Sequence, residues 1–79
     1  MAIKDIIMPK VSNEINEATL LNWKVKVGSR IEEGDIIFTV ETEKIVLEVE
    51  SEYTGVITEI LVEEGTKVPL FSVVGKIEV

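Results

Sequence analysis

The chain contains no cysteine and no histidine. Without cysteine there is no disulfide, no zinc–thiolate centre and no thiol nucleophile. Without histidine the usual general base near neutral pH and the commonest metal ligand are gone as well. Basic residues are scarce: eight Lys and Arg stand against fifteen Asp and Glu, a net charge of −7. A nucleic-acid backbone is therefore repelled, and no nucleic-acid partner is expected. Long hydrophobic runs are missing too. No uninterrupted apolar stretch exceeds three residues, as in Ile36-Ile37-Phe38, whereas a membrane-spanning helix needs about 20. Residues 1–10 mix Lys4 and Asp5 into their apolar positions and lack the core of a signal peptide. These absences predict a cytoplasmic protein, or a mitochondrial-matrix one if eukaryotic, with no membrane partner.

With 79 residues, the chain is expected to form one domain, 1–79, and to be a monomer in isolation. A domain of this size buries only ~60–65% of the surface its unfolded chain exposes. A ligand pocket of several hundred cubic ångströms would hollow its core. It is not expected to be an enzyme by itself, and no catalytic or metal-binding residues are assigned.

What is present is a period of two. Ile3 to Met8 is a β-rich run stopped by Pro9, and Lys10 to Asn16 reads as a loop. Thr19 to Val27 is β-compatible, with Leu21, Trp23, Val25 and Val27 on one face and Lys24 and Lys26 on the other. A helix over Glu14 to Leu21 is disfavoured by Thr19 and by the lack of a cap. Gly28-Ser29 and Glu33-Gly34-Asp35 supply turns. Ile36 to Glu41, Ile45 to Glu50, Val56 to Val62 and Val73 to Val79 complete the strands, with Gly55 and Gly65 bounding the third of these. Turn signals about every ten residues predict an all-β sandwich or barrel.

The chain also resembles itself. Val25-Lys26-Val27-Gly28-Ser29-Arg30-Ile31 aligns with Val62-Glu63-Glu64-Gly65-Thr66-Lys67-Val68 at a shift of 37 residues. Two similar halves packed face to face would make a flattened β-barrel: two small antiparallel sheets with approximate internal twofold symmetry. Valine-rich strands followed by glycine turns produce some such similarity by propensity alone.

The hairpin from Ile36 to Ser51 carries the functional expectation. With Glu43 and Lys44 at its centre, Val40 faces Leu47, Phe38 faces Val49, Thr39 faces Glu48 and Ile37 faces Glu50. One face is then apolar and the other mostly polar, as a half-buried hairpin requires. Two-residue hairpin loops favour Asn-Gly or Asp-Gly because the turn needs positive φ. Glu-Lys breaks that rule, and local rules are most often broken at functional sites. A lysine on a rigid tip suits covalent attachment by another enzyme. A solvated charged turn is the plainer alternative. An amine is a poor nucleophile while protonated, so acylation there needs a dedicated ligase.

The run Glu41-Thr42-Glu43-Lys44-Ile45, followed by Glu48-Val49-Glu50-Ser51 and Gly55, resembles the attachment motif of lipoyl domains from 2-oxo acid dehydrogenase complexes. That family reads Glu-Thr-Asp-Lys followed by Ala or Val. Met8-Pro9-Lys10, Trp23, Val27-Gly28, Glu33-Gly34-Asp35, Val62-Glu63-Glu64-Gly65 and Val68-Pro69 match the family at their spacings, so the resemblance spans residues 3–78. The chain departs from the pattern at Glu43, where the family has Asp, and at Ile45. The resemblance implies that Lys44 carries lipoic acid in amide linkage. It implies that Glu41, Thr42, Glu43, Ile45 and Gly55 are recognised by modifying and partner enzymes. The implied partners are a lipoate ligase or lipoyl transferase, a thiamine-diphosphate-dependent 2-oxo acid decarboxylase, an acyltransferase catalytic domain and dihydrolipoyl dehydrogenase. The parent chain is expected to be an acyltransferase or a lipoyl-bearing dihydrolipoyl dehydrogenase.

Two alternatives share this fold: a biotin carrier domain and an unmodified adaptor module. Biotin carriers typically bracket their lysine with methionines, whereas here the neighbours are Glu43 and Ile45. Adaptors generally lack the motif lysine. Trp23 is expected to pack in the core. The pairs Glu32-Glu33 and Glu63-Glu64 are expected to be solvated.

Overall fold

The computed structural model describes residues 1–79, which form eight strands and no helix: β1 (Ile3–Ile7), β2 (Glu17–Trp23), β3 (Arg30–Ile31), β4 (Ile36–Glu41), β5 (Val46–Glu50), β6 (Gly55–Ile60), β7 (Thr66–Pro69) and β8 (Val73–Glu78). They build two four-stranded antiparallel sheets, ordered β1-β8-β6-β3 and β5-β4-β2-β7. Leu20, Phe38 and Val40 from one sheet meet Ile57, Val74 and Ile77 from the other, all of them buried. Each such side chain stabilises the fold by about 1.5–3 kcal/mol relative to exposure.

Backbone bonds recur in pairs at the shift of 37. Lys24 N–H donates to the Ile37 carbonyl (2.8 Å), and Leu61 N–H donates to that of Val74 (2.9 Å). Gly28 N–H bonds the Ile57 carbonyl (2.8 Å), and Gly65 N–H bonds that of Leu20 (2.7 Å). The sheets exchange under the same operation: β2 maps to β6, β3 to β7 and β4 to β8. The edge strand β5 then corresponds to β1. The expected twofold architecture is present.

Three details depart from the sequence reading. β3 and β7 are short strands that the hydrophobic pattern does not mark, because two to four residues carry too little periodicity. β2 ends at Trp23, and its buried residues are Ala18 and Leu20, not Leu21, while Val27 lies exposed. A register shift between Leu20 and Asn22 is the cause, since a bulge hands the inward face to the opposite set of side chains. The predicted pairs Val40–Leu47, Thr39–Glu48 and Phe38–Val49 are all found, but Glu50 pairs with Ile36 instead of Ile37. A second bulge there lets Ile37, only 2% exposed, join Phe38 in the core.

Trp23 packs against the core, tilted on Phe38 with ring centroids 5.2 Å apart. Its indole N–H donates to the Val62 carbonyl at 2.8 Å, satisfying the one polar atom that packing would otherwise strand. Its backbone N–H donates to a Glu64 carboxylate oxygen at 2.8 Å. Glu64 is exposed, as expected of it, and its carboxylate also accepts this bond from the end of β2.

Candidate functional site

The β4–β5 hairpin ends in a four-residue loop, Thr42 to Ile45, between Glu41 and Val46. Glu41, Glu43, Lys44 and Ile45 are exposed and Thr42 is half-buried. The Lys44 ammonium takes part in neither of the two ion pairs, Lys67–Glu17 and Lys76–Asp5.

The mismatch between Glu-Lys and a tight hairpin turn has a structural answer. The only non-glycine residue with positive φ is Phe71, so neither Glu43 nor Lys44 adopts the left-handed backbone of a type I′ turn. Thr42 N–H donates to the Ile45 carbonyl at 2.9 Å. The return bond does not go to the Thr42 carbonyl. Instead Ile45 N–H (3.3 Å) and Lys44 N–H (3.4 Å) both point to the Thr42 hydroxyl oxygen. A threonine side chain substitutes for a backbone acceptor in this way in ST turns. The twofold mate of this ladder, Ala2 and Val79, makes both backbone bonds (3.3 and 2.8 Å). The side chain of Thr42 thus makes the tip possible, a role that spacing alone does not reveal.

Around the tip lies an open groove of about 780 Å³. Val11 and Ile15 of the loop before β2 form one wall, and Thr42, Lys44 and Ile45 form the other. The loop was legible in the sequence, but its return to the hairpin was not.

Gly55 sits elsewhere. It opens β6 in the other sheet, paired with Ile31. Its φ is not positive; a Cβ there would overlap the carbonyl oxygen of Glu78 on β8. Its glycine character is required by close backbone approach. Glu41, Thr42, Glu43, Lys44 and Ile45 are brought together, and Gly55 is not among them.

Residues 4–77 match the family described as biotin-requiring enzyme. The chain belongs to this biotin/lipoyl attachment family. Within it, the likeness is to lipoyl domains. The solved lipoyl domain of the 2-oxoglutarate dehydrogenase complex from Azotobacter vinelandii is 35% identical, with a TM-score of 0.77 and 94% of each chain covered. The dihydrolipoyllysine-residue succinyltransferase component of the 2-oxoglutarate dehydrogenase complex of Cupriavidus necator is 38% identical over 99% of this chain and 19% of its own length. The lipoamide acyltransferase component of the branched-chain α-keto acid dehydrogenase complex of Bacillus subtilis is 37% identical over 99% of this chain and 18% of its own. The chain spans about a fifth of these curated relatives. It is a carrier domain in fold and family.

Proposed function

We propose that Lys44 is the attachment point for lipoic acid, and that the domain carries acyl groups and reducing equivalents between the active sites of a 2-oxo acid dehydrogenase complex. The observation that supports this best is the exposed, unpaired lysine on a hairpin tip held by Thr42, within Glu41-Thr42-Glu43-Lys44-Ile45. Lipoate is favoured over biotin because Lys44 lacks flanking methionines. Of the two methionines, Met1 is at the chain start and Met8 is fully buried in the core.

The site fits such a group: nothing covers the Lys44 amine, and the open groove beside it leaves room for an arm to swing. A ligase must bind the tip, remove a proton from Nζ and present an activated carboxyl, so that the amide forms as the activating group leaves. Lys44 would hold the lipoyl group in amide linkage, and the group would supply the redox-active dithiolane chemistry of acyl transfer between a thiamine-diphosphate-dependent decarboxylase, an acyltransferase and dihydrolipoyl dehydrogenase. The domain contributes presentation. The hairpin holds the attachment lysine clear of the barrel, and tethering raises its effective concentration at successive sites. This reading assigns the chain to the cytoplasm or mitochondrial matrix.

Incubation with lipoate ligase and lipoate tests the proposal. One lipoyl group should be added, taking the formal net charge from −7 to −8, because an ammonium becomes an amide. Exchanging Glu43 and Lys44 keeps the composition but moves the amine by one position, and it should cost much of the rate. Equal rates for the exchanged and native chains, or a Lys44→Ala chain that still gains the mass, would refute it.

A further inference from the structure

Phe71 stands where its own twofold mate is glycine. Gly34 (φ 95°) and Phe71 (φ 71°) occupy the third position of the turns Glu32–Asp35 and Pro69–Ser72. The turns make the same bonds. Asp35 N–H donates to the Glu32 carbonyl (3.0 Å) and Ser72 N–H to that of Pro69 (3.3 Å). Gly34 N–H donates to the Ser51 carbonyl (2.9 Å) and Phe71 N–H to that of Met8 (2.7 Å). Left-handed backbone suits glycine and disfavours a side chain with a Cβ. Burial does not offset that strain, because Phe71 remains 59% exposed and lies outside the core cluster.

The ring borders a groove of about 300 Å³ between the unpaired edges of β1 and β5, with Ile7, Pro9, Val49 and Tyr53 among its walls. Along β5 and just past it, Glu48, Glu50 and Glu52 alternate on the exposed side, and none is in an ion pair. Alternate residues of a strand are about 6.6 Å apart. On the groove's rim Asp5 is neutralised by Lys76, which leaves Lys10 as the opposing cation beside Glu50 and Glu52. Charged residues on an edge strand do protect against aggregation. That explains the glutamates but not an exposed phenylalanine beside them, which acts in the opposite sense.

We propose that this groove docks an extended polypeptide segment with Lys or Arg at alternate positions and an apolar side chain that packs against Phe71. A second copy of the chain is the wrong occupant, because each carries a net charge of −7. The proposal is independent of what Lys44 carries.

The test is a titration of ¹⁵N-labelled, unmodified domain with acetyl-Lys-Ile-Lys-Phe-Lys-amide, followed by amide shifts. Saturable shifts at Ile7, Val49, Glu50 and Phe71 are expected, together with at least tenfold weaker binding for Phe71→Gly. That variant should fold, since Gly34 makes the same turn. The double variant Glu50→Gln, Glu52→Gln should weaken binding similarly without touching the turn. No binding, equal binding of the Glu-for-Lys peptide, or affinity unchanged in both variants would overturn the proposal. So would a Phe71-dependent dimer in sedimentation equilibrium, which would make a second copy the occupant.

Discussion

The amide of Ile45 turns to the hydroxyl of Thr42, 3.3 Å away, where the symmetric amide of Ala2 finds the backbone carbonyl of Val79. One hydroxyl oxygen thereby orients both peptide groups that flank the Lys44 Cα. Removing it should loosen the tip and leave the barrel intact. Thr42→Val is predicted to speed hydrogen exchange at the Lys44 and Ile45 amides and to slow lipoylation. Global stability should change by no more than about 1 kcal/mol, the scale of a neutral hydrogen bond. Thr42→Ser should restore both amide protection and rate. Native exchange in Thr42→Val would contradict this account of the turn.

Gly55 is expected to matter through packing. Gly55→Ala forces a methyl group against the Glu78 carbonyl, so β6 and β8 must separate. A cost of about 3 kcal/mol or more is predicted, at the upper end for overpacking a core. Chemical denaturation measures it. In whatever fraction stays folded, Lys44 should still be modified at the native rate, because Gly55 lies in the other sheet. A stable Gly55→Ala domain that resists lipoylation would make the glycine a recognition residue instead.

Lys76 joins β8 to β1 through a 2.8 Å bond to Asp5. That hydrogen bond and the Asp5 charge raise the Lys76 pKa above its ordinary value, opposed by desolvation and helped, least of all, by Glu59. A raised pKa in the folded state stabilises fully below the unfolded lysine value of about 10.4, and the contribution is lost as pH rises through the folded value. Asp5→Asn should therefore lower the Lys76 titration midpoint, followed by NMR, and flatten the alkaline fall in Tm. Because the Lys76 side chain is only half-buried, the effect should shrink with added salt.

The strands that the sequence announces are those with an apolar partner to face. Phe38 opposite Val49 and Val40 opposite Leu47 set the hairpin register, and both pairs are present. The bulges at Leu21 and Ile37 leave no mark in the sequence, because each swaps one apolar residue for its apolar neighbour (Leu20 for Leu21, Ile37 for Ile36) and the pattern reads equally well either way. The repeat was legible from seven aligned residues, but its extent became visible only in the paired backbone bonds. Lys44 stood out because Glu43-Lys44 breaks turn chemistry. The remedy, a threonine hydroxyl in place of a carbonyl, depends on geometry that spacing does not encode. Nothing in the sequence marks Phe71, since phenylalanine in a valine-rich chain looks like core. Only its φ and exposure separate it from Phe38.

Lys44, and no other lysine, is proposed to bear a lipoyl group. Intact-mass and peptide-mapping spectrometry of the chain purified from its native host tests it most directly. A single lipoyl addition is expected, confined to the peptide containing Glu43-Lys44-Ile45, with none after Lys44→Ala. A biotinyl mass at Lys44, a lipoyl group on any other lysine, or a fully unmodified chain in cells with active lipoate ligase would contradict it.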